Sequence, residues 1–188
     1  MPILPQEPDL FPDSLLDAEP MTDDGPASWW AVYTMARREK ELMRRLRAMG
    51  IAHYGPLIQR KSKSPQGRVR SSFVPLFAGY VFLCGSETDR HQALTTNCIS
   101  RCLAVVDGPQ LTHDLKQIYR LIASGKPVSP ESRIQPGMRV RIRSGPLVGI
   151  EGVVVKRRGG DRLLVAVSFI QQGASVELED FEVERIDL

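Results

Sequence analysis

Residues 73–83 read FVPLFAGYVFL: ten apolar or aromatic residues and one glycine, with no charged or amide side chain among them. A strand with one face in water alternates apolar and polar residues. This stretch does not, so both of its faces are expected to be covered. On a period of two, Phe77 and Val81 point one way and Tyr80 and Phe82 the other. The rest of the chain has to supply a cover for each side.

The flanks supply the elements. WWAVYTM (29–35), rich in aromatic and β-branched residues, reads as a strand. A helix follows over about 37–49, with Leu42, Leu46 and Met49 on one face and Gly50 to end it. Its other face carries Arg37, Arg38, Lys40, Arg44, Arg45 and Arg47. Residues 51–60 read as a broken strand, and RKSKSPQGRVR (60–70) as a basic hairpin tip with Pro65-Gln66-Gly67 as the turn. Ser86 is placed to cap a short helix over 87–95, and CISRCLAVV (98–106) fits another strand. Thr112 is expected to cap a third helix whose Leu115, Ile118 and Ile122 share a face, with Leu111 as a staple and Ser124-Gly125 as its end.

The order β-α-β-β-α-β-α predicts a ferredoxin-like α/β sandwich over residues 28–124. Residues 125–137 (GKPVSPESRIQPG), with three prolines, read as a linker. Beyond it, MRVRIR, GVVVKRR, RLLVAVSF, ASVELE and FEVERI predict a small five-stranded β-barrel over 138–188. The class is α+β. Residues 1–27, rich in proline and acid without period, are expected to be a disordered acidic tail.

The net charge of +3 conceals a segregation. Residues 1–27 carry −7, residues 28–124 carry +9 and residues 133–188 carry +1. A basic body of this kind suits nucleic acid or an acidic protein surface. No apolar run approaches the ~18 residues of a membrane span, and the first basic residue is Arg37, unlike the basic start of a signal peptide. Three cysteines make no disulfide framework, so a cytoplasmic protein is expected. No catalytic constellation emerges. Cys98 and Cys102, near His91, lack a fourth zinc ligand; Gly159-Gly160-Asp161 is a hairpin turn, not a phosphate loop; His53 and His113 stand without placed partners. The expectation is a protein without enzymatic activity, metal or cofactor.

The segment PGMRVRIRSGPLVGIEGVVVKRRGGDRLLVAVSF (136–169) resembles a KOW module. Trp29-Trp30-x-Val32-Tyr33, a charged helix, a basic hairpin and PLFAGYVFL resemble the N-terminal domain of the NusG family of transcription elongation factors. The resemblance covers about 28–188. The wording PLF-x-x-Y-x-F is nearer to the specialised RfaH branch than to housekeeping members, with Ala78 where proline is usual in the latter.

This resemblance implies an NGN domain followed by an SH3-like KOW barrel, acting as a cytoplasmic, nucleoid-associated monomer. Tyr33, Leu76, Phe77, Tyr80 and Phe82 would grip the clamp helices of RNA polymerase's largest subunit. Thr95 and Thr96 would reach the opposite jaw of the cleft. Arg37, Arg38, Arg60, Lys61, Lys63, Arg68 and Arg70 would follow the phosphates of upstream or non-template DNA. Met35 and Ala36 stand where RfaH has a basic pair, which argues against RfaH-type reading of a DNA element. Leu147, Ile150, Phe169 and Ile170 would form an exposed rim that docks Rho or a ribosomal protein. The central Gly-Gly and β-branched run of VVVKRRGGDRLLVAV favour a barrel that does not refold into helices. The expected outcome is antitermination by clamp closure. The alternative is an RNA-binding, ribosome-associated KOW protein, against which the barrel's charge of +1 argues.

Overall fold

The computed structural model describes residues 5–17, 21–22, 25–178 and 183–186. Parts of the expected tail (1–4, 18–20, 23–24) and of the last expected strands (179–182, with the terminal 187–188) lie outside the described residues. The chain divides into two compact units, Met1–Val106 and Asp107–Leu188.

Unit 1 contains β1 (Leu10–Phe11), β2 (Met21–Thr22), β3 (Gly25–Pro26), β4 (Ser28–Thr34), α1 (Glu39–Ala48), β5 (Ala52–Tyr54), β6 (Leu57–Lys63), β7 (Val69–Pro75), β8 (Tyr80–Gly85), α2 (Glu87–Leu94) and β9 (Ile99–Ala104). The main sheet has the order β1-β5-β8-β4-β9, with every pair antiparallel. Its last four strands are the ferredoxin-like arrangement expected from the sequence. Strands β6 and β7 form a separate two-stranded ribbon, and β2 pairs with β3.

Register assigns the two faces. One row runs Phe11, His53, Leu83, Trp30, Ala104; the next runs Leu10, Tyr54, Phe82, Ala31, Leu103. The first row's face packs on α1. Trp30, Val32, Val81 and Leu83 share a buried cluster with Leu42, Met43 and Leu46 of that helix and Ala93 of α2. Each fully buried leucine contributes about 2 kcal/mol of transfer free energy there. In α1, Glu39 and Glu41 in the first turn and Arg45 and Arg47 in the last complement the helix dipole. Ser86 and Asp89 form a reciprocal capping box at α2, as the sequence suggested for Ser86.

The opening stretch is not one strand. β7 ends at Pro75, residues 76–79 turn, and β8 starts at Tyr80. The turn breaks the period of two, so Phe77 does not follow Val81 to the α1 side. Its ring instead meets Phe82 edge-on, with centroids 6.3 Å apart.

The N-terminal segment also departs from expectation: residues 5–17 are folded. Leu10 and Phe11 add an antiparallel strand to β5, and Leu10, Leu15 and Leu16 are buried. These leucines showed no period because their partners lie elsewhere in the chain. Arg47 anchors the segment twice: it donates to the Leu10 carbonyl at 2.9 Å, and its guanidinium stands 5.1 Å from the Phe11 ring centroid.

Unit 2 holds α3 (Gly108–Ala123), β10 (Ser129–Glu131), β11 (Met138–Ile142), β12 (Glu151–Arg157), β13 (Gly160–Val167), the 3-10 turn η1 (Ser168–Ile170), β14 (Gln172–Glu177) and β15 (Val183–Arg185). The five expected strands are present. A sixth, β10, comes from within the expected linker, giving the antiparallel order β10-β14-β13-β12-β11-β15. Arg162 ties it in, donating to Ser129 Oγ and Ser175 Oγ, while Ser175 Oγ donates to Glu131. Gly152 lets β12 approach β13, since a Cβ there would collide with the Leu164 carbonyl. Helix α3 begins earlier than expected. Asp107, not Thr112, caps it by accepting from the Gln110 N–H, and Thr112 bonds back to the Gly108 carbonyl inside the first turns. The helix packs on β13, within unit 2. The contact boundary therefore falls at 106/107, ahead of the expected 124.

His53 gives this fold a pH dependence. It is buried, its Nδ1 lies 2.8 Å from the Ile51 carbonyl oxygen, and its Nε2 has no hydrogen-bond partner among the described residues. Burial, aided by the Arg47 charge and opposed by the Ile51 bond, pushes its pKa from 6.5 to about 4. Between those values the unfolded chain binds a proton that the folded one does not. Stability is therefore full above pH 6.5 and falls as pH drops towards 4, by up to about 3 kcal/mol. Denaturant titrations from pH 7 to 4 on wild type and His53→Gln check this: the variant loses that share of the slope.

Candidate functional site

The sheet face opposite α1 and α2 carries an aromatic pair. Tyr33 and Tyr80 are cross-strand partners on β4 and β8, with ring centroids 5.1 Å apart at 76°. Tyr33 is 43% exposed and Tyr80 half-buried. Such pairs present a large, stiff, amphipathic surface at low entropic cost.

The turn before β8 fixes their geometry. The Gly79 N–H donates to Glu39 Oε1 at 2.7 Å, and the Gly79 carbonyl accepts from the Thr34 N–H at 2.8 Å. Glu39 is itself buried in the first turn of α1, which holds its Oε1 on this turn. Gly79 has φ +83°, and a Cβ there would lie 3.2 Å from Tyr33 Cε2. Sequence reading identified the tyrosines but missed Glu39 and Gly79, which hold them.

The other expected members of this surface take different places. Leu76, Phe77 and Phe82 are buried. Phe82 lies on the same face as Tyr80 but is closed off from water, with the Phe77 ring edge-on to it. At the end of α2, Thr96 is buried: its Oγ1 donates to the Ala93 carbonyl and accepts from the Cys98 N–H. Thr95 is exposed, its hydroxyl bonded to the Gln92 carbonyl. Of the threonine pair, Thr95 alone faces outward. Burial pushes the Cys84 thiol up to about 12 and also raises Cys102, which leaves both poor nucleophiles.

The basic surface has two parts. Arg37 and Arg38 are exposed between β4 and α1, with Arg38 3.4 Å from Glu41. Arg45 hydrogen-bonds the same carboxylate at 2.8 Å and, with Arg38 and Arg44, holds Glu41 below the usual carboxylate range. The second part is the β6–β7 ribbon. Arg60, Lys61, Lys63, Arg68 and Arg70 are all exposed, and no acid occurs in Leu57–Pro75. Register sets Ser62 opposite Arg70 and Lys63 opposite Val69, so Arg60 and Arg70 share one face while Lys61 and Lys63 share the other. Leu57 and Ile58 at the base of the ribbon are buried, and its outer part, exposed and basic on both sides, suits a phosphate backbone.

In unit 2 the expected apolar rim is largely inside. Leu147 and Ile150 are buried at 0% and 1% exposure, whereas Phe169 is 38% exposed and Ile170 half-buried. Helix α3 secures both loops: Arg120 donates to the Val148 carbonyl at 2.6 Å, and Asp114 accepts from the Ser168 N–H at 2.8 Å. Of the four, Phe169 is the exposed one.

Comparison with known proteins adds a family. The model of a family described as "Transcription termination factor nusG" matches residues 27–129, which include both tyrosines and the ribbon. The chain is similar to the transcription termination/antitermination protein NusG of Pseudomonas aeruginosa, 26% identical over 174 residues, 84% of this chain and 98% of the relative. It is likewise similar to the protein of that name from Buchnera aphidicola subsp. Acyrthosiphon pisum, 30% identical over 127 residues, 63% of this chain and 70% of the relative.

Gly79→Ala tests the architecture of the pair. The left-handed φ and the close Tyr33 ring together predict a loss of roughly 1–2 kcal/mol, read from denaturant unfolding. A loss near zero would show that the turn accommodates a side chain.

Proposed function

The chain belongs to the NusG family of transcription factors, and on that premise we propose that it binds the clamp helices of RNA polymerase through the Tyr33–Tyr80 face, favours the closed clamp and so suppresses pausing or termination. The observation that carries this reading is an accessible tyrosine pair, held by a buried Glu39–Gly79 bond, on the sheet face opposite α1. The mechanism needs no bond-making. A ligand that binds one clamp state more tightly shifts the population towards it by its differential affinity. The protein works by binding alone, in the cytoplasm, on polymerase at the nucleoid.

The β6–β7 ribbon and Arg37 and Arg38 are assigned to the phosphates of upstream or non-template DNA. These contacts position the protein without reading sequence. Thr95 is the contact to the opposite jaw. The β-rich unit recruits a second factor, Rho or a ribosomal protein, with Phe169 as its exposed apolar anchor. Antitermination in the RfaH manner, without the helical refolding of the C-terminal unit, is the specialised form of this reading.

Two measurements test it. Tyr80→Ala should weaken polymerase binding tenfold or more while leaving unfolding free energy nearly unchanged, as expected for an interface anchor; equal binding by the folded variant removes Tyr80 from the interface. In a single-pause assay, saturating wild type should shorten pause dwell times, and unchanged dwell times would overturn the mechanism. For the ribbon, Arg60→Ala with Lys61→Ala should flatten the log–log salt dependence of DNA binding by about 2, close to 0.9 per phosphate contact.

A further inference from the structure

Residues 5–17 precede the family match, which starts at residue 27, yet they are folded onto the family's sheet. Their docking site is the outer edge of β5. The Asp9 carbonyl accepts from the Gly55 N–H at 2.9 Å and its carboxylate from the Leu57 N–H at 2.9 Å. Glu7 pairs with Arg44 at 2.9 Å, and Phe11 stacks on His53 beneath the Arg47 guanidinium. Register then decides what the arm covers. Leu10 stands opposite Tyr54, Tyr54 opposite Phe82, and Phe82 is two residues from Tyr80 on the same face. Leu10 thus closes the row next to the exposed tyrosine pair, and Tyr54, a third tyrosine of that face, is 1% exposed.

We propose that this N-terminal arm is a detachable mask: docked, it withholds Tyr54 and the β5 edge from the tyrosine face, and the partner of that face gains them by displacing it. The proposal rests on the polymerase-binding reading above. Several features make the arm suited to release. It pairs through two residues at a sheet edge, where local opening is cheapest. Its ion pair with Arg44 is exposed. Docking also buries polar groups at a penalty: desolvation raises the Asp9 carboxyl above its ordinary value despite the Leu57 hydrogen bond, and His53 Nε2 is left without a partner under Phe11. Displacement would exchange one strand's worth of edge hydrogen bonds and the burial of Leu10, Leu15 and Leu16 for contact with the aromatic surface. Release of the arm would at the same time part Arg44 from Glu7 and Arg47 from the Leu10 carbonyl and the Phe11 ring.

The test uses the full chain carrying Leu10→Asp, with Asp9→Ala as a second variant that removes the Leu57 acceptor instead of the apolar contact. In the free protein, amide exchange at Gly55 and Leu57 reports docking, since both donate to Asp9. Both variants should speed exchange there about tenfold or more while the amides of β4 and β8 stay protected. They should then bind RNA polymerase about fivefold or more tightly than wild type. Faster exchange at Gly55 and Leu57 with equal or weaker binding overturns the mask. Unchanged exchange in both variants overturns it as well, because the arm would then not be held by these contacts. Tyr80→Ala in the wild-type background separates the two ideas. If it weakens binding while the arm variants do not tighten it, the mask fails and the tyrosine face stands. If it leaves binding unchanged, the face itself fails, and the mask with it.

Discussion

Ala31 and Val32 are neighbours in β4, face opposite sides of the sheet, and are both shut off from water. That double burial is the constraint on which unit 1 is built. A central strand pair that exposes neither face needs two covers, and α1 with α2 supplies only one of them. On the face of Ala31 the burial stops at Tyr33, which is paired with Tyr80. The tyrosine surface is the place where a face too apolar for water runs out of protein to cover it. Because the strands beneath are locked by their own packing, the pair is presented on a rigid support, which limits the entropy lost when something docks there.

Much of this was legible in the chain. Strand β4, helix α1, the ribbon and the capped helix α2 each carry a local signal: β-branched and aromatic enrichment, a 3.6-residue apolar period, Pro-x-Gly turn chemistry, Ser-x-x-Asp. The apolar excess of residues 73–83 correctly announced two covered faces. Its internal turn was not legible, because the Gly79 conformation is held by Glu39, forty positions earlier. Nor was the burial of Leu147, Ile150 and Thr96. Apolar loop residues and helix-end threonines look the same in sequence whether they point in or out, and here hydrogen bonds to α3 and to the Ala93 carbonyl decide. The arm was unreadable for a related reason. Acid and proline dominate its composition, and its three buried leucines acquire meaning only from the β5 edge.

Charge follows the same division of labour. The bases of the β6–β7 ribbon are left without acids nearby in the chain, while those of α1 are answered by Glu41 and by Glu7 of the arm. A modest net charge therefore coexists with one strongly basic projection, whose field falls off over about 8 Å at physiological salt. The positive field is then a property of the ribbon, not of the molecule as a whole, and is separable from the aromatic surface.

Helix α3 has a consequence for how such proteins are assembled from parts. It lies inside the stretch that defines the family domain, yet Asp114 and Arg120 fasten it to the loops of the following β-rich unit. The boundary between the two compact units is therefore not the proline-rich stretch that looks like a hinge. It lies before Asp107, and an exchange of modules made at residue 125 would part α3 from β13, the strand it packs on.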